Sequence, residues 1–485
     1  MAPRWQTNTA GPVPMLLFVL LLAAGGGLFI AQSGPDLSLG FSLLLIVVFV
    51  SFLNTELALH IILISMLLSP EIVIGGIGDI SIGKPAFKGD FLVLRVEDLV
   101  LTAVTLAWVA KAAIFKEIGL LRRTSLNLPI FIFAAALTVA TLFGVLLGNV
   151  RPIRGFFYVL KYIEYFVVFF MTVNLIREER QLRRLLTTAL ATCAIASIIG
   201  ILQIPSGERV AAPFEGQFGE PNTFGGYLVL MLAIILGFAL TTKNFPAQVG
   251  WYVFGGLTVL PLLYTLSRTS WLASIPMCLV LICLSRRRLI LMVGLGLVII
   301  MGSVIFPTQV VERLNSTFSP QGDRYDLAVG SVRFDASTSA RVESWRYGLQ
   351  GWLKRPFVGY GVTGFAFMDA QYVRVLVEAG LIGLAAFFWL LWRTLWTAWD
   401  TYRQVAGTRF EGLALGYLAG LIAMMTHCFG ANTFIIVRVM EPFWFLTGAV
   451  VCLTHLARSS AGNGPAGSEH ESAKAPPRLR SNPSH

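Results

Sequence analysis

Arginine is the residue whose placement in this sequence points most directly to chemistry. Arg151 and Arg154 stand three residues apart in one short polar stretch, and Arg268 stands in another. Arg341 and Arg346 stand in the longest polar stretch of the chain. A guanidinium group stays charged at physiological pH, and its planar fork forms paired hydrogen bonds to phosphate oxygens. The set therefore predicts a binding site for a phosphate-bearing ligand.

Carboxylates are rarer, and two of them flank the start of one apolar segment. Asp369 and Glu378 stand nine residues apart there. Asp369 can accept a proton during a reaction or cap the helix that follows, and the sequence leaves both roles open. His427 is the one histidine at the end of an apolar run that is expected on the same side of the membrane as Asp369. A packed or hydrogen-bonded role is preferred for it. No group of His, Cys, Asp and Glu has the spacing of a metal site, so neither a metal nor another cofactor is predicted.

The elements that must position these residues are membrane helices. Of the 485 residues, 56% are hydrophobic and 13% are charged, whereas about 25% of the residues in a soluble protein are charged. Apolar runs of about 20 residues recur, the length that crosses the roughly 30 Å hydrocarbon core as an α-helix. The net charge of +11 comes largely from short loops beside these runs, so no nucleic-acid partner is predicted. The sequence predicts an all-α integral membrane protein surrounded by membrane lipids.

Hydropathy predicts about 12–14 transmembrane helices. The predicted spans cover 15–31, 37–53, 57–75, 94–115, 129–148, 156–176, 184–204, 223–241, 249–266, 269–284, 289–306, 373–397, 411–429 and 434–456. Four connecting loops are rich in lysine and arginine, and the positive-inside rule assigns them, together with both termini, to the cytoplasm. The organisation that follows is an N-terminal bundle over 1–306, an extracytoplasmic loop over 307–372, C-terminal transmembrane helices over 373–456 and a disordered cytoplasmic tail over 457–485.

The extracytoplasmic loop divides into parts of different character. Residues 307–336 are polar and are predicted to be irregular. Residues 338–354 place apolar and aromatic side chains at helical spacing, which predicts an amphipathic helix on the membrane surface. A glycine-rich turn over 359–364 leads into the next span. On this topology the arginines lie on the face where the positive-inside rule disfavours them, so they require an anionic partner, and a lipid-borne diphosphate fits that requirement.

Four stretches together resemble a known family. They are Phe218-Gly-Glu-Pro-Asn-Thr-Phe-Gly-Gly-Tyr227, Leu266-Ser-Arg-Thr-Ser-Trp271, Arg341-Val-Glu-Ser-Trp345, and the run from Arg355-Pro-Phe-Val-Gly-Tyr-Gly361 to Tyr372-Val-Arg-Val-Leu-Val-Glu-Ala-Gly-Leu-Ile-Gly383. In order and spacing they resemble the bacterial O-antigen ligase and polymerase family of polytopic membrane proteins. The resemblance is best between residues 215 and 400 and rests on topology before that.

The resemblance implies substrates that are glycans on a polyprenyl diphosphate, and it assigns roles to particular residues. Arg268 and Arg341 match the family's arginine motifs, so Arg268, with Arg151 and Arg154, is expected to bind the diphosphate, and Arg341 to act in catalysis. Asp369 occupies a position where the family has a histidine, and it is the second candidate catalytic residue. The candidate substrate-binding residues are Asn222, Arg346 and Glu378.

The predicted activity is glycosyl transfer or polymerisation at the outer face of the bacterial cytoplasmic membrane, with a glycan or lipid acceptor. An aspartate in place of the histidine favours a polymerase. Ligation of polymer to a lipid A core or a protein is an alternative, and so is a member that binds glycans without catalysis. A transporter or flippase of the same substrates is a further alternative. A flippase is expected to carry charges deep within its spans, whereas these cations gather at one face.

Overall fold

Helices dominate the structure. The computed structural model describes residues 35–69, 71–72, 94–114, 122–214, 219–294, 296, 308–318, 328–329, 332–333, 336–366 and 368–462. The helices are α1 (Pro35–Leu53), α2 (Thr55–Leu68), α3 (Val96–Ile114), α4 (Asn127–Leu146), α5 (Pro152–Leu175), α6 (Glu179–Gln203), α7 (Pro221–Thr241), α8 (Phe245–Tyr264), α9 (Arg268–Leu284), α10 (Thr308–Phe318), α11 (Ala336–Lys354), α12 (Gln371–Val405), α13 (Glu411–His427) and α14 (Val437–Gly462). Two antiparallel strand pairs of two residues each accompany them, Glu71–Ile72 with Leu94–Arg95 and Ala328–Val329 with Val332–Arg333. The prediction of an all-α architecture is confirmed.

Several of these helices have the length and composition of membrane spans. Within the described residues, seven meet both criteria: α4, α5, α6 with its short 3₁₀ extension, α7, α8, α12 and α14. Shorter apolar helical stretches lie within α1, α2, α3 and α9. The chain is therefore a polytopic membrane protein. The predicted span over 15–31, most of the one over 289–306, and the predicted tail beyond residue 462 lie outside the described residues.

Helix α7 forms the centre of the bundle. Its apolar stretch is 89% buried, compared with 28% for the neighbouring α8. It packs most extensively against α13, where a β-carbon on Gly416 would lie 2.6 Å from the carbonyl oxygen of Ala233. Apolar side chains gain little by leaving lipid for protein, so helices in a membrane associate through such close packing of small residues. A larger side chain at position 416 would force the two helices apart.

Helix α12 is interrupted within its length. Gly380 has φ +66° and ψ −168°, a conformation that residues with a β-carbon rarely adopt. The preceding loop fills the break, because the amides of Tyr360 and Gly361 donate to carbonyl oxygens of α12 and the Leu381 amide donates to the Pro356 carbonyl oxygen. Irregular backbone within a membrane bundle persists only where protein satisfies its polar groups. The predicted glycine-rich turn therefore supplies hydrogen bonds to the α12 backbone at its break, in addition to leading into that helix.

The connecting segments gather at two opposite ends of the bundle. At one end, Glu56 of α2 lies 2.8 Å from Arg184 of α6, and Glu179 of α6 lies 2.6 Å from Arg409. These four residues define the paired end. At the other end the α8–α9 turn, the residues before α7, and helices α10 and α11 meet. The residues that meet there surround a cavity, and they define the cavity end.

The loop over 307–372 contains more helix than predicted. The prediction of irregular structure over 307–336 is wrong for Thr308–Phe318, which forms α10. Val310 and Val311 stand together on this short helix, and Val310 is only 1% exposed. A helix of this length is marginal alone, so its contact with the bundle stabilises it. The helix predicted over 338–354 is confirmed as α11, whereas its amphipathic character and its placement on a membrane surface stay predictions.

Candidate functional site

A small cavity of about 70 Å³ opens at the cavity end. The described residues that line it are Arg209, Asn222, Leu266, Arg268, Arg313 and Arg341. Four of these six are arginines, and each comes from a different segment of the chain. Positive charge focused in one concave site attracts anions strongly. We call the cavity that these four arginines line the arginine cavity.

A tight turn between α8 and α9 holds Arg268 in place. Leu266 in this turn has φ +49°, a conformation that costs a non-glycine residue about 1–2 kcal/mol. Ser267 then caps α9 by accepting a hydrogen bond from the Ser270 amide at 3.3 Å. Arg268 is the first residue of α9. Its backbone is therefore fixed by the strained turn that precedes it and by the capped first turn of α9, to which it belongs.

Arg209 is bound to the same turn from outside the helices. Its Nε donates to the Thr265 carbonyl oxygen at 2.9 Å. Burial, followed by the positive charges of Arg313, Arg268 and Arg341, lowers the pKa of Arg209 to about 10. After burial, the like charges of the three neighbouring arginines thus disfavour the charged form of Arg209. A bound anion would relieve that repulsion.

Asn222 brings the amino terminus of α7 to the arginine cavity. Pro221 is the first residue of α7, and Asn222 is the second. Proline suits this position because its missing amide hydrogen would have no partner within the helix. The dipole of a helix places partial positive charge at its amino terminus, which adds to the attraction that the arginines exert on an anion. The predicted site residues Asn222, Arg268 and Arg341 thus meet at one cavity.

Asp369 pairs with one of the cavity arginines. Its Oδ2 lies 3.5 Å from Nε of Arg341, and its side chain is 41% exposed. The cap position considered for Asp369 is wrong, because Ala370 holds the cap position of α12. Helix α11 packs against α12, which brings Arg341 to Asp369. The carboxylate is therefore accessible beside the cavity, where it can accept a proton.

The segment that supplies most of this cavity matches a known family. Residues 253–388 match the family described as O-antigen ligase. The chain carries an O-antigen ligase domain. This domain begins within α8 and ends within α12, and it contains four of the six cavity-lining residues, while Arg209 and Asn222 precede it. A comparison with curated proteins gives no match.

Three of the predicted arginines do not line the cavity of the O-antigen ligase domain. Arg151 is the exposed cap residue of α5, and Arg154 lies in the first turn of that helix. Arg346 is exposed on α11. It is five residues beyond Arg341, which turns it about 140° around the helix axis. The described lining includes none of the three, and their binding roles stay predictions.

Glu378 lies two residues before Gly380, where α12 is interrupted. Its Oε1 is 3.2 Å from Nε of Arg374 and accepts a hydrogen bond from the Thr363 amide at 3.0 Å. The two side chains of the ion pair are 8% and 7% exposed. Removing one partner of a buried ion pair typically costs about 3–5 kcal/mol, because a charge remains buried without compensation. Glu378 therefore supports the fold of the O-antigen ligase domain, and its contact with substrate stays a prediction.

Sequence reasoning missed two informative arginines. Arg313 stands in the stretch expected to be irregular, and the signal that could have found it was the pair Val310 and Val311 on a segment of helical composition. Arg438 at the start of α14 is 0% exposed and donates to the Ser69 carbonyl oxygen at 3.1 Å. The signal there was an arginine next to an apolar run, since ionisable residues in that setting seldom occur without a role.

Proposed function

We propose that this protein is a membrane glycosyltransferase that transfers or polymerises glycans carried on a polyprenyl diphosphate. The observation that carries the proposal is the convergence of four arginines on one cavity of the O-antigen ligase domain. When the bond between the anomeric carbon and the diphosphate breaks, negative charge develops on the leaving group. Cations already in position stabilise that charge without reorganising. Arg268, Arg209 and Arg313 would hold the diphosphate, and Arg341 would link it to Asp369.

The acceptor hydroxyl must lose a proton as it attacks the anomeric carbon, and Asp369 is the proposed acceptor of that proton. Its partly exposed carboxylate beside Arg341 supports this role. A positioned general base contributes about 10²–10⁴-fold to a rate, so Asp369→Asn should lower the transfer rate by at least about 10²-fold. The measurement is polymer formation by the purified protein in lipid vesicles. Unchanged product from a variant that inserts normally would remove Asp369 from the mechanism.

We further propose that the cavity end faces away from the cytoplasm. The paired end collects arginines from the loops that the positive-inside rule assigns to the cytoplasm, including Arg184 and Arg409. Arg151 and Arg346, which are exposed, and Arg154, which is partly buried, would then lie on the outer face, where anionic glycan or lipid groups can reach the exposed pair. The proposed location is the cytoplasmic membrane of a bacterium. Cysteine accessibility at positions 151 and 184 tests the orientation, since the two must label from opposite sides.

Ligation of finished polymer to a separate acceptor is the second candidate function, because the matching family is described as O-antigen ligase. The glycan profile of a strain that lacks the gene separates the two reactions. Loss of long chains with single repeat units retained indicates a polymerase, whereas long polymer that is never attached indicates a ligase. Complementation with Arg268→Ala must fail in either case. An unchanged profile in the deletion strain would contradict both reactions.

A further inference from the structure

A chain of buried hydroxyl groups and one imidazole connects the arginine cavity to the carboxyl-terminal part of the bundle. Oγ of Ser270 donates to Oγ of Ser267 at 2.8 Å, and the same Ser270 oxygen lies 3.1 Å from Nε2 of His427. Nδ1 of His427 lies 2.8 Å from Oγ1 of Thr433. Ser270, His427 and Thr433 are each 0% exposed. The chain starts at Ser267, the residue directly before Arg268.

These hydrogen bonds specify how the imidazole is protonated. Because Ser270 uses its hydroxyl hydrogen toward Ser267, its oxygen must accept from Nε2–H of His427. The other ring nitrogen, Nδ1, then accepts the hydroxyl hydrogen of Thr433. Both nitrogens of the neutral ring are satisfied in this arrangement. The imidazole thus acts as a bridge with a donor at one end and an acceptor at the other.

Helix α7 meets the bridge at the same point. A β-carbon on Gly225 would lie 2.3 Å from Oγ of Ser270, and one on Gly226 would lie 3.1 Å from Cε1 of His427. Gly226 stands about one helical turn after Asn222, which lines the arginine cavity. The two glycines therefore let α7 close onto the bridge. Helices α7 and α9, which carry the cavity residues Asn222 and Arg268, thus both meet α13 at His427.

We propose that His427 is a positioning residue for diphosphate binding and glycosyl transfer. It holds Ser270, and through it the first turn of α9, so that Arg268 meets the diphosphate beside Asn222. A buried polar group is costly unless its partners are in place, so the bridge tolerates little displacement. A displacement of about 1 Å in a positioning group can cost about 10²-fold in rate. The inference rests on the proposed function, because the diphosphate is the ligand that Arg268 is positioned to bind.

The test measures the affinity for inorganic diphosphate and the rate of glycan transfer in two single variants of the full chain. His427→Leu removes both hydrogen bonds of the ring, and Ser270→Ala removes the hydroxyl that it contacts. We expect each to weaken diphosphate binding at least tenfold and to lower the maximal transfer rate. His427→Gln, whose amide offers a donor and an acceptor, should restore part of both. The double variant of Ser270 and His427 should lose little more than either single variant, since both act through the same bridge.

Matched controls separate positioning from general stability. Ser274→Ala makes the same chemical change one turn further along α9, where the hydroxyl only donates to the Ser270 carbonyl oxygen at 3.0 Å. Thr447→Val breaks a buried bond between α13 and α14, since Oγ1 of Thr447 lies 2.6 Å from Oη of Tyr417. Both controls should keep wild-type diphosphate affinity. Wild-type affinity in a folded Ser270→Ala protein, or an equal loss in the Ser274→Ala and Thr447→Val controls, would overturn the inference.

Arg268→Ala tells the two proposals apart. If Arg268→Ala loses diphosphate binding while Ser270→Ala and His427→Leu retain it, only the positioning role of His427 is wrong. If Arg268→Ala retains both binding and transfer, Arg268 does not bind the diphosphate, and the inference about His427 fails with it. If the wild type neither binds diphosphate nor transfers glycan, the proposed function itself fails. If His427→Leu does not fold, Ser270→Ala decides the matter, because removing one hydroxyl leaves the packing volume almost unchanged.

Discussion

The two ends of the helical bundle use arginine in opposite ways. At the paired end, Arg184 lies 2.8 Å from Glu56 and Arg409 lies 2.6 Å from Glu179, so carboxylates of α2 and α6 balance the arginines. At the cavity end, four arginines surround about 70 Å³ of space, and burial, followed by the positive charges of the other three, lowers the pKa of Arg209 to about 10. The first arrangement ties helices together. The second concentrates positive charge that attracts an anionic ligand.

The difference shows that the number of basic residues says little about their role. Both ends carry several arginines, and both belong to the same run of apolar helices. At the paired end each of these arginines lies against a carboxylate of a different helix or loop, whereas at the cavity end four arginines share one small cavity and Asp369 contacts one of them, Arg341. An exposed ion pair contributes little to stability, whereas converging cations in a confined site create a strong preference for an anion. Each prediction below tests one side of this contrast.

The largest effect is expected from the cavity arginines. Arg268→Ala or Arg341→Ala should lower the rate of glycan transfer by about 10²–10³-fold, the typical loss when one group that stabilises developing charge is removed. Arg184→Ala at the paired end is the matched control and should stay close to the wild-type rate. Polymer formation in vesicles measures both. Equal losses at the two ends would erase the contrast.

Inorganic diphosphate should stabilise the protein through the arginine cavity alone. At a concentration 100 times its dissociation constant, a ligand that binds only the folded state adds about 2.7 kcal/mol. Thermal unfolding in detergent should therefore shift upward for the wild type and for Arg184→Ala. Arg268→Ala should show no shift. A persistent shift in Arg268→Ala would place the anion elsewhere.

Diphosphate binding near pH 10 should take up a proton at Arg209. The pKa of this group is lowered to about 10 in the free protein, so part of the population is deprotonated there, and a bound anion raises the pKa again. Affinity should accordingly fall as the pH rises through about 10. In the ligand-free protein, the charge on Arg209 lowers the free energy of unfolding at pH values below about 10, because the pKa of this group is lowered in the folded state. This destabilisation disappears as the pH rises above about 10.

Calorimetry in two buffers of different ionisation enthalpy measures this proton uptake. Arg209→Gln should abolish it, while Arg184→Ala should leave it intact. An uptake that survives in Arg209→Gln would assign the titration to another group.

The smallest effect is expected at the paired end. The side chain of Arg184 is 61% exposed, and pairs of this kind contribute about 0.2–1 kcal/mol. Arg184→Ala should thus lower the free energy of unfolding by no more than about 1 kcal/mol, and salt should weaken the effect. A double-mutant cycle with Glu56→Gln isolates the pair. A coupling energy far above this range would contradict the prediction that the exposed ion pair at the paired end contributes little to stability.

Much of the fold could be predicted because hydropathy and helix ends are local signals. The span predicted over 223–241 is observed as α7, Pro221–Thr241, and the one predicted over 269–284 as α9, Arg268–Leu284. Proline and a serine cap mark those two starts. Helix α10 escaped prediction because an 11-residue helix depends on tertiary contact. Local patterns do not report such contacts.

The candidate site was only partly predictable. Arg268, Arg341 and Asn222 were found through motifs and meet at the arginine cavity. The inward turn of Glu378 follows from the break at Gly380 and the loop that fills it. The spacing of residues along the chain does not predict that Glu378 is buried, because its burial depends on which loop packs against the break in α12.

By itself, the sequence determined that this is a membrane protein of many helices, with arginines in its polar connections and a segment like that of the O-antigen ligases. Composition and motif order carry that information without a fold. Only the tertiary structure decided that Arg209, Arg268 and Arg313 share one cavity with Arg341. Residues so far apart in the chain meet through helix packing, and packing is a property of surfaces in three dimensions. The same packing made His427 a bridge rather than an isolated histidine.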